Sequence, residues 1–263
     1  MNTGLDDVSI TAEGAVGIVT FSRPPNNFFD VKLVAALAEA LEEIDRQPAL
    51  RAVMVCSTGK VFCAGARFAG ANGSGAPTGA GDFSNPRSLY MNGVRLFRTH
   101  KPIVAAIQGP AIGGGLGLAM IADFRIAAPE ARFACNFVTL GIHPGFGLTY
   151  TLPRAIGNQS ATMLLYSGRR INGQEAHRLG LVDALSPLSE LNEAALGFAR
   201  EIAMNAPLAV EATRRTMRDT LGDAVERQVE RECVEQMALF ATEDFKEGIK
   251  AVAERRPGRW IRG

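Results

Sequence analysis

The sequence predicts a mixed α/β fold followed by a helical C-terminal region. Short apolar runs of strand length recur through the first half: VSIT, VGIVTF, AVMVCS, PIVAAIQG and FRIAAP. Segments with helical periodicity alternate with them, which points to an α/β arrangement. From about Leu188 the helical pattern continues almost alone. The expected organisation is a core over residues 1–190 and a helical oligomerisation region over 191–263.

The strands over 8–21 read as a hairpin, with its turn at residues 12–14. Arg23-Pro-Pro-Asn-Asn is a loop, and Asp30 is placed to cap a helix running to about Asp45. Leu33, Leu37, Leu41 and Ile44 give that helix one apolar face. Residues 52–57 form a buried strand. Residues 69–88 are a Gly/Ala/Ser/Pro stretch without periodicity, either a surface insertion or a flap beside a site. A helix is expected at about 89–98, a strand at 102–109, and a helix opening at 113–122. The strand FRIAAP follows, then ARFACNFV and the loop LGIHPGFG. Helix is expected over 149–165 and 173–180, with the strand LVDAL after it. Pro207 opens a further helix. In the next one, Val229, Cys233, Met237 and Phe240 repeat at helical spacing.

The 263 residues are 47% hydrophobic and 21% charged, ordinary for a globule with a full core. The formal charge of +1 selects neither nucleic acid nor an anionic membrane surface. The N-terminal MNTGLDDVSI lacks the basic and apolar regions of a signal peptide, and the uncharged run 102–122 is broken at Gly109-Pro110. A cytoplasmic protein with no membrane partner is expected. Cys56, Cys63, Cys135 and Cys233 form neither a CxxC pair nor a zinc spacing, so reduced thiols and no metal are expected.

Two glycine-rich turns follow two buried strands: Phe62-Cys-Ala-Gly-Ala66 and Gly109-Pro-Ala-Ile-Gly-Gly-Gly-Leu-Gly117. Small residues there allow another molecule to approach the main chain. The spacing matches neither a dinucleotide fingerprint nor a P-loop. Two readings stand: tight packing, or a hole for negative charge developing on a carbonyl oxygen.

RPPNN (23–27), VFCAGARF (61–68), KPIVAAIQGPAIGGGLGLAMIADFRIAAPEARF (101–133), LGIHPGFG (140–147), SGRRINGQEAHRLGLVD (167–183) and EDFKEGIKAVAERRPGRW (243–260) occur in this order. As an ordered series they resemble the enoyl-CoA hydratase/isomerase (crotonase) superfamily. The resemblance implies a spiral of ββα units with a C-terminal helical trimerisation region, assembled as a homotrimer or a dimer of trimers. It implies an acyl-CoA thioester as partner, with coenzyme A part of the substrate and no separate cofactor. By position, Ala66 and Gly114 match the two oxyanion-hole residues. Pro25, Asn26 and Phe28 match contacts to the nucleotide part of coenzyme A. Ala64 and Gly65 line the pantetheine entry and Arg67 borders it. Gly113, Gly117 and Phe137 fall on the substrate pocket.

The departures bear on the reaction. A hydratase of this family carries one carboxylate where Gly117 stands and another where Phe137 stands, and neither residue can act as acid or base. The dehalogenases of the family carry a nucleophilic aspartate where this chain has Gly145. His143 lies in the same loop. It is either a base near neutral pH or a loop histidine bonded to backbone. Cys135 reads as core or, beside a base, as a nucleophile. Asp82 lies in the 69–88 insert. Phe29, Phe83, Phe137 and Phe146 are either core or an aromatic acyl pocket. Two readings of function follow: an acyl-CoA enzyme that stabilises an enolate or oxyanion while hydrating poorly, or a catalytically inactive acyl-CoA-binding protein.

Overall fold

The computed structural model describes residues 7–66 and 86–263. Arg67, Asp82, Phe83 and most of the 69–88 insert lie outside the described residues.

Strands β1 (Val8–Glu13) and β2 (Val16–Phe21) pair antiparallel, with Val8 opposite Phe21. Helix α1 (Val31–Asp45) begins where expected, because Asp30 accepts a hydrogen bond from the Leu33 N–H at 2.9 Å. Then follow β3 (Ala52–Ser57), α2 (Pro86–Phe97), β4 (Ile103–Ile107), β5 (Ala111–Ile112), α3 (Gly114–Ala119), β6 (Phe124–Ala127) and β7 (Arg132–Ala134). A 3-10 turn spans Asn136–Leu140. Beyond it lie α4 (Leu148–Ile156), α5 (Asn158–Ser167), β8 (Arg170–Asn172), α6 (Gly173–Arg178) and β9 (Ala184–Leu185). The C-terminal helices are α7 (Leu191–Ala203), α8 (Pro207–Met217), α9 (Leu221–Phe240) and α10 (Glu243–Ala253).

One sheet has the order β1-β2-β3-β4-β6-β9 and is parallel from β2 onward. Alternation along its central strands covers both faces. Ala52, Met54, Cys56, Val104 and Ala106 face Leu191, Ala195 and Ala199 of α7. Val53, Val55, Ile103, Ala105 and Ile107 face the larger core with α1. Side chains two apart share a face, so a strand buried on both sides reads as a continuous apolar run. A smaller sheet, β5-β7-β8, sits beside the glycine-rich turn.

Four elements differ from the sequence expectation. The strand expected over 181–185 is confined to Ala184–Leu185. Helix α3 ends at Ala119 instead of running to 122. The main chain of Asp123 donates to the Ile103 carbonyl, and the Asp123 carboxylate accepts from the Ile103 N–H at 2.8 Å. That pairing pulls the chain into β6. The expected 149–165 helix is two helices, broken at Gly157, whose φ of +76° ends α4. The buried face of α9 carries Val229, Glu232, Cys233 and Gln236, while Met237 is 52% exposed. Among the described residues no helix is long and apolar enough to cross a membrane.

Candidate active site

The two glycine-rich turns meet edge to edge. Cys63 donates to the Pro110 carbonyl and accepts from the Ile112 N–H, both at 3.0 Å, making a short parallel bridge. Ala64 donates to the Asn26 carbonyl, Phe29 donates to the Gly65 carbonyl, and Gly113 donates to the Ala134 carbonyl at 2.8 Å. Gly65 has φ +80°, and a methyl group on it would stand 2.8 Å from the Ile112 carbonyl oxygen and 3.3 Å from the Gly114 nitrogen. Gly113 has φ +56°. Both are conformations and approaches that favour glycine. These bonds occupy the amides of Cys63, Ala64, Ile112 and Gly113. Among the described residues, the N–H groups of Ala66 and Gly114 donate to no acceptor within the chain.

The loop before α1 is tied to the same place. Asn27 is fully buried; its amide donates to the Thr58 and Val61 carbonyls, and its Oδ1 accepts from the Arg23 N–H at 2.7 Å. Arg23 also pairs with Asp7 and Asp30. Pro25, Asn26 and Phe28 are thereby held at the rim of a cavity of about 530 Å³. Ala64, Gly65, Ala66, Gly113 and Gly114 also line it.

The inner wall is aromatic. Phe29 and Phe146 lie 5.4 Å apart between ring centroids, and Tyr90 meets Phe146 edge-on at 6.4 Å. Phe137 lines the cavity as well. A methyl group on Gly117 would stand 2.7 Å from Cβ of Phe146 and 2.9 Å from its Cδ1. The Phe146 side chain therefore fills the space that a longer residue at 117 would need. Phe146 is itself held at φ +62°, a region costly for a bulky residue. A methyl group on Gly145 would stand 2.1 Å from the Tyr90 hydroxyl oxygen. Among the described residues lining the cavity, Tyr90 is the sole titratable one.

Behind this wall is a polar layer. The Tyr90 hydroxyl donates to Gln236 Oε1 at 2.6 Å, and Gln236 Nε2 donates to the His143 carbonyl at 2.7 Å. Burial pushes the Tyr90 phenol well above its ordinary value, with the Glu232 charge adding to the effect. Glu232 accepts from the Gly147 N–H at 2.7 Å, the Thr149 N–H at 3.0 Å and the Thr149 hydroxyl. Burial pushes its carboxyl up to about 7, against the opposing pull of those bonds.

Of the residues singled out from the sequence, Pro25, Asn26, Phe28, Ala64, Gly65, Ala66, Gly113, Gly114 and Phe137 come together on one cavity. Gly117 lies behind Phe146, and Arg67 is outside the described residues. His143 does not line the cavity; its Nδ1 lies 2.7 Å from the Pro144 carbonyl. Cys135 is buried and its thiol is pushed up to about 12, which suits a core residue. Asn27, Tyr90, Phe146, Glu232 and Gln236 complete the site. A buried-face polar residue on a helix is the signal that would have marked the last two.

The sequence profile of the enoyl-CoA hydratase/isomerase family matches residues 11–262. The chain belongs to this family. It is 36% identical to a probable enoyl-CoA hydratase of Rhizobium meliloti, covering 94% of this chain and 95% of that one. It is 32% identical to a crotonyl-CoA hydratase of Syntrophomonas wolfei, covering 97% and 98%. Among solved structures, an enoyl-CoA hydratase/isomerase from Pseudoalteromonas atlantica superposes with a TM-score of 0.85 at 30% identity, covering 97% of this chain and all of that one. The mixed α/β fold with its C-terminal helices is thus that of crotonase-like proteins, and the chain is an acyl-CoA enzyme of that superfamily.

Proposed function

We propose that the chain holds a thioester carbonyl oxygen between the N–H groups of Ala66 and Gly114 and stabilises the negative charge that develops there. The observation that carries this reading is that these two amides donate to no acceptor among the described residues and lie on the wall of a largely apolar cavity. Preorganised donors in such surroundings act strongly on an oxyanion, because little water competes and no reorganisation is needed. An enolate and a tetrahedral adduct both carry that charge. Hydration of a double bond needs a base for water and an acid for the α-carbon. The described lining supplies no carboxylate for either role, and Phe146 blocks one at residue 117. The reading therefore departs from the hydratase names of the relatives.

The test is turnover of a panel of acyl-CoA thioesters, with crotonyl-CoA among them. Crotonyl-CoA hydration is expected to be negligible, and an ordinary hydratase rate would overturn this part of the proposal. Ala66→Pro removes one donor whose hydrogen makes no bond within the described chain. It is expected to lower turnover of any active thioester by roughly 10²–10³. The same lack of a titratable group other than Tyr90 favours a second reading, an acyl-CoA-binding protein without catalysis. Micromolar binding by calorimetry with no product from any thioester would select it.

A further inference from the structure

We infer that Tyr90 and Gln236 form a hydrogen-bonding subsite for a hydroxyl group carried by the acyl chain. The inference rests on the acyl-CoA reading above and names the substrate class within it.

The two residues are an exception in their surroundings. The wall on which they sit is otherwise built from Phe29, Leu89, Phe146 and Leu140. Tyr90 and Gln236 are 7% and 2% exposed. Phenylalanine and leucine would fill the same volume without the desolvation that a phenol and an amide incur. The hydrogen-bonding capacity of the pair is only partly used. The Tyr90 hydroxyl gives its hydrogen to Gln236, which leaves its oxygen able to accept. Gln236 Nε2 gives one hydrogen to the His143 carbonyl and retains a second. Among the described residues nothing else bonds to either atom.

Both side chains line the cavity. Gly145 lies directly against it, since a methyl group there would stand 2.1 Å from the Tyr90 oxygen and 2.7 Å from Gln236 Nε2. Any other residue at 145 would collide with both polar atoms and displace them. The subsite therefore presents one acceptor and one donor side by side. A hydroxyl group answers both at once, donating to Tyr90 and accepting from Gln236. A ketone answers only the donor, and a hydrocarbon chain answers neither. A carboxylate fits poorly, because no cationic side chain among the described residues faces the cavity.

Calorimetry would compare hexanoyl-CoA with the 3-, 4- and 5-hydroxyhexanoyl-CoA thioesters on the intact protein. At least one hydroxy isomer is expected to bind about tenfold more tightly than hexanoyl-CoA, the gain of a well-made neutral hydrogen-bond pair. Tyr90→Phe and Gln236→Met should each bring that ratio toward one. Reading a ratio within each variant separates the subsite from a general loss of fold or affinity, and the unmodified protein alone supplies the first comparison. Equal binding of all four thioesters, or a preference that survives in both variants, would overturn the inference. Failure of every thioester to bind, hexanoyl-CoA included, would instead overturn the acyl-CoA reading beneath it.

Discussion

Two buried carboxylates tie the C-terminal helices to the rest of the chain, and they do so under opposite electrostatic conditions. Asp123, between α3 and β6, accepts from Arg214 Nε at 2.8 Å and Arg218 Nη1 at 2.7 Å, as well as from the Ile103 N–H. Burial raises its pKa, but the two guanidinium groups outweigh burial and hold the carboxyl below the usual range. Glu232, on α9, meets only neutral donors from residues 147–149, and there burial wins. One junction is a compensated charge cluster and the other a carboxyl that titrates at about 7. The difference lies mainly in the partners, although Asp123 keeps 15% of its side chain exposed and Glu232 none. Neither carboxyl reaches the cavity. The acids that folding buries beside the site serve the attachment of helices, and the described wall that faces a ligand is left without one.

The comparison breaks most severely at Asp123. Asp123→Ala leaves Arg214 and Arg218 buried without their counter-charge, and three of their nitrogens already lack a partner among the described residues. Denaturant unfolding should show a loss of about 3–5 kcal/mol. Adding Arg218→Met should recover part of it, since the uncompensated charge is the source of the cost.

The next effect is a difference in pH dependence. Folding raises the Glu232 pKa from its ordinary value of 4.5 to about 7, so between those values the native state binds more protons than the unfolded chain. Its contribution to stability is greatest below the lower value and declines as pH rises through about 7, by on the order of 3 kcal/mol in all. Asp123 acts in the opposite sense. Its stabilising contribution is present above its ordinary pKa and is lost as pH falls through its lowered value. Stability measured from pH 4 to 8 should therefore contain a downward slope that Glu232→Gln removes. A slope unchanged in that variant would show that the carboxyl titrates in its ordinary range.

The smallest effect tests the wall itself. Gly117→Glu should cost about 1–3 kcal/mol through overpacking against Phe146, and it should not confer hydration. In a Phe146→Ala background the same substitution should cost less. Equal costs in the two backgrounds would mean that Phe146 does not govern the space at residue 117.

Much of this arrangement can be read from local sequence rules. The Asp30 cap, the alternation in β3 and β4, and the first helical position of Pro207 in α8 depend on neighbours close in the chain. The two glycine-rich turns at strand ends are also a local pattern, while it is the family resemblance that singles out the amides of Ala66 and Gly114. What eluded the sequence depends on partners far along the chain. Glu232 and Gln236 read as the polar side of α9 until the loop at 143–149 supplies them with backbone groups about 85 to 93 residues away. The same partners shift the buried face and leave Met237 in solvent. Phe146 reads as core or pocket with equal ease. Only the approach of Gly117 and Gly93 to its ring shows that it does both. Asn27 looks no different from Asn26 in the sequence, because the three carbonyl and amide groups it joins come from two separate turns.

The oxyanion donors proposed at Ala66 and Gly114 belong to the main chain. A donor that belongs to the main chain is carried by every amino acid except proline, so few single codon changes delete it. Substitution can crowd it, as a methyl group on Gly114 would by coming 2.4 Å from the Phe29 ring, but only proline strips away the hydrogen. The carbonyl-polarising half of such a site is therefore inherited with the backbone. Its surrounding side chains remain open to drift, so a lineage can exchange one reaction for another without ever losing its grip on the thioester.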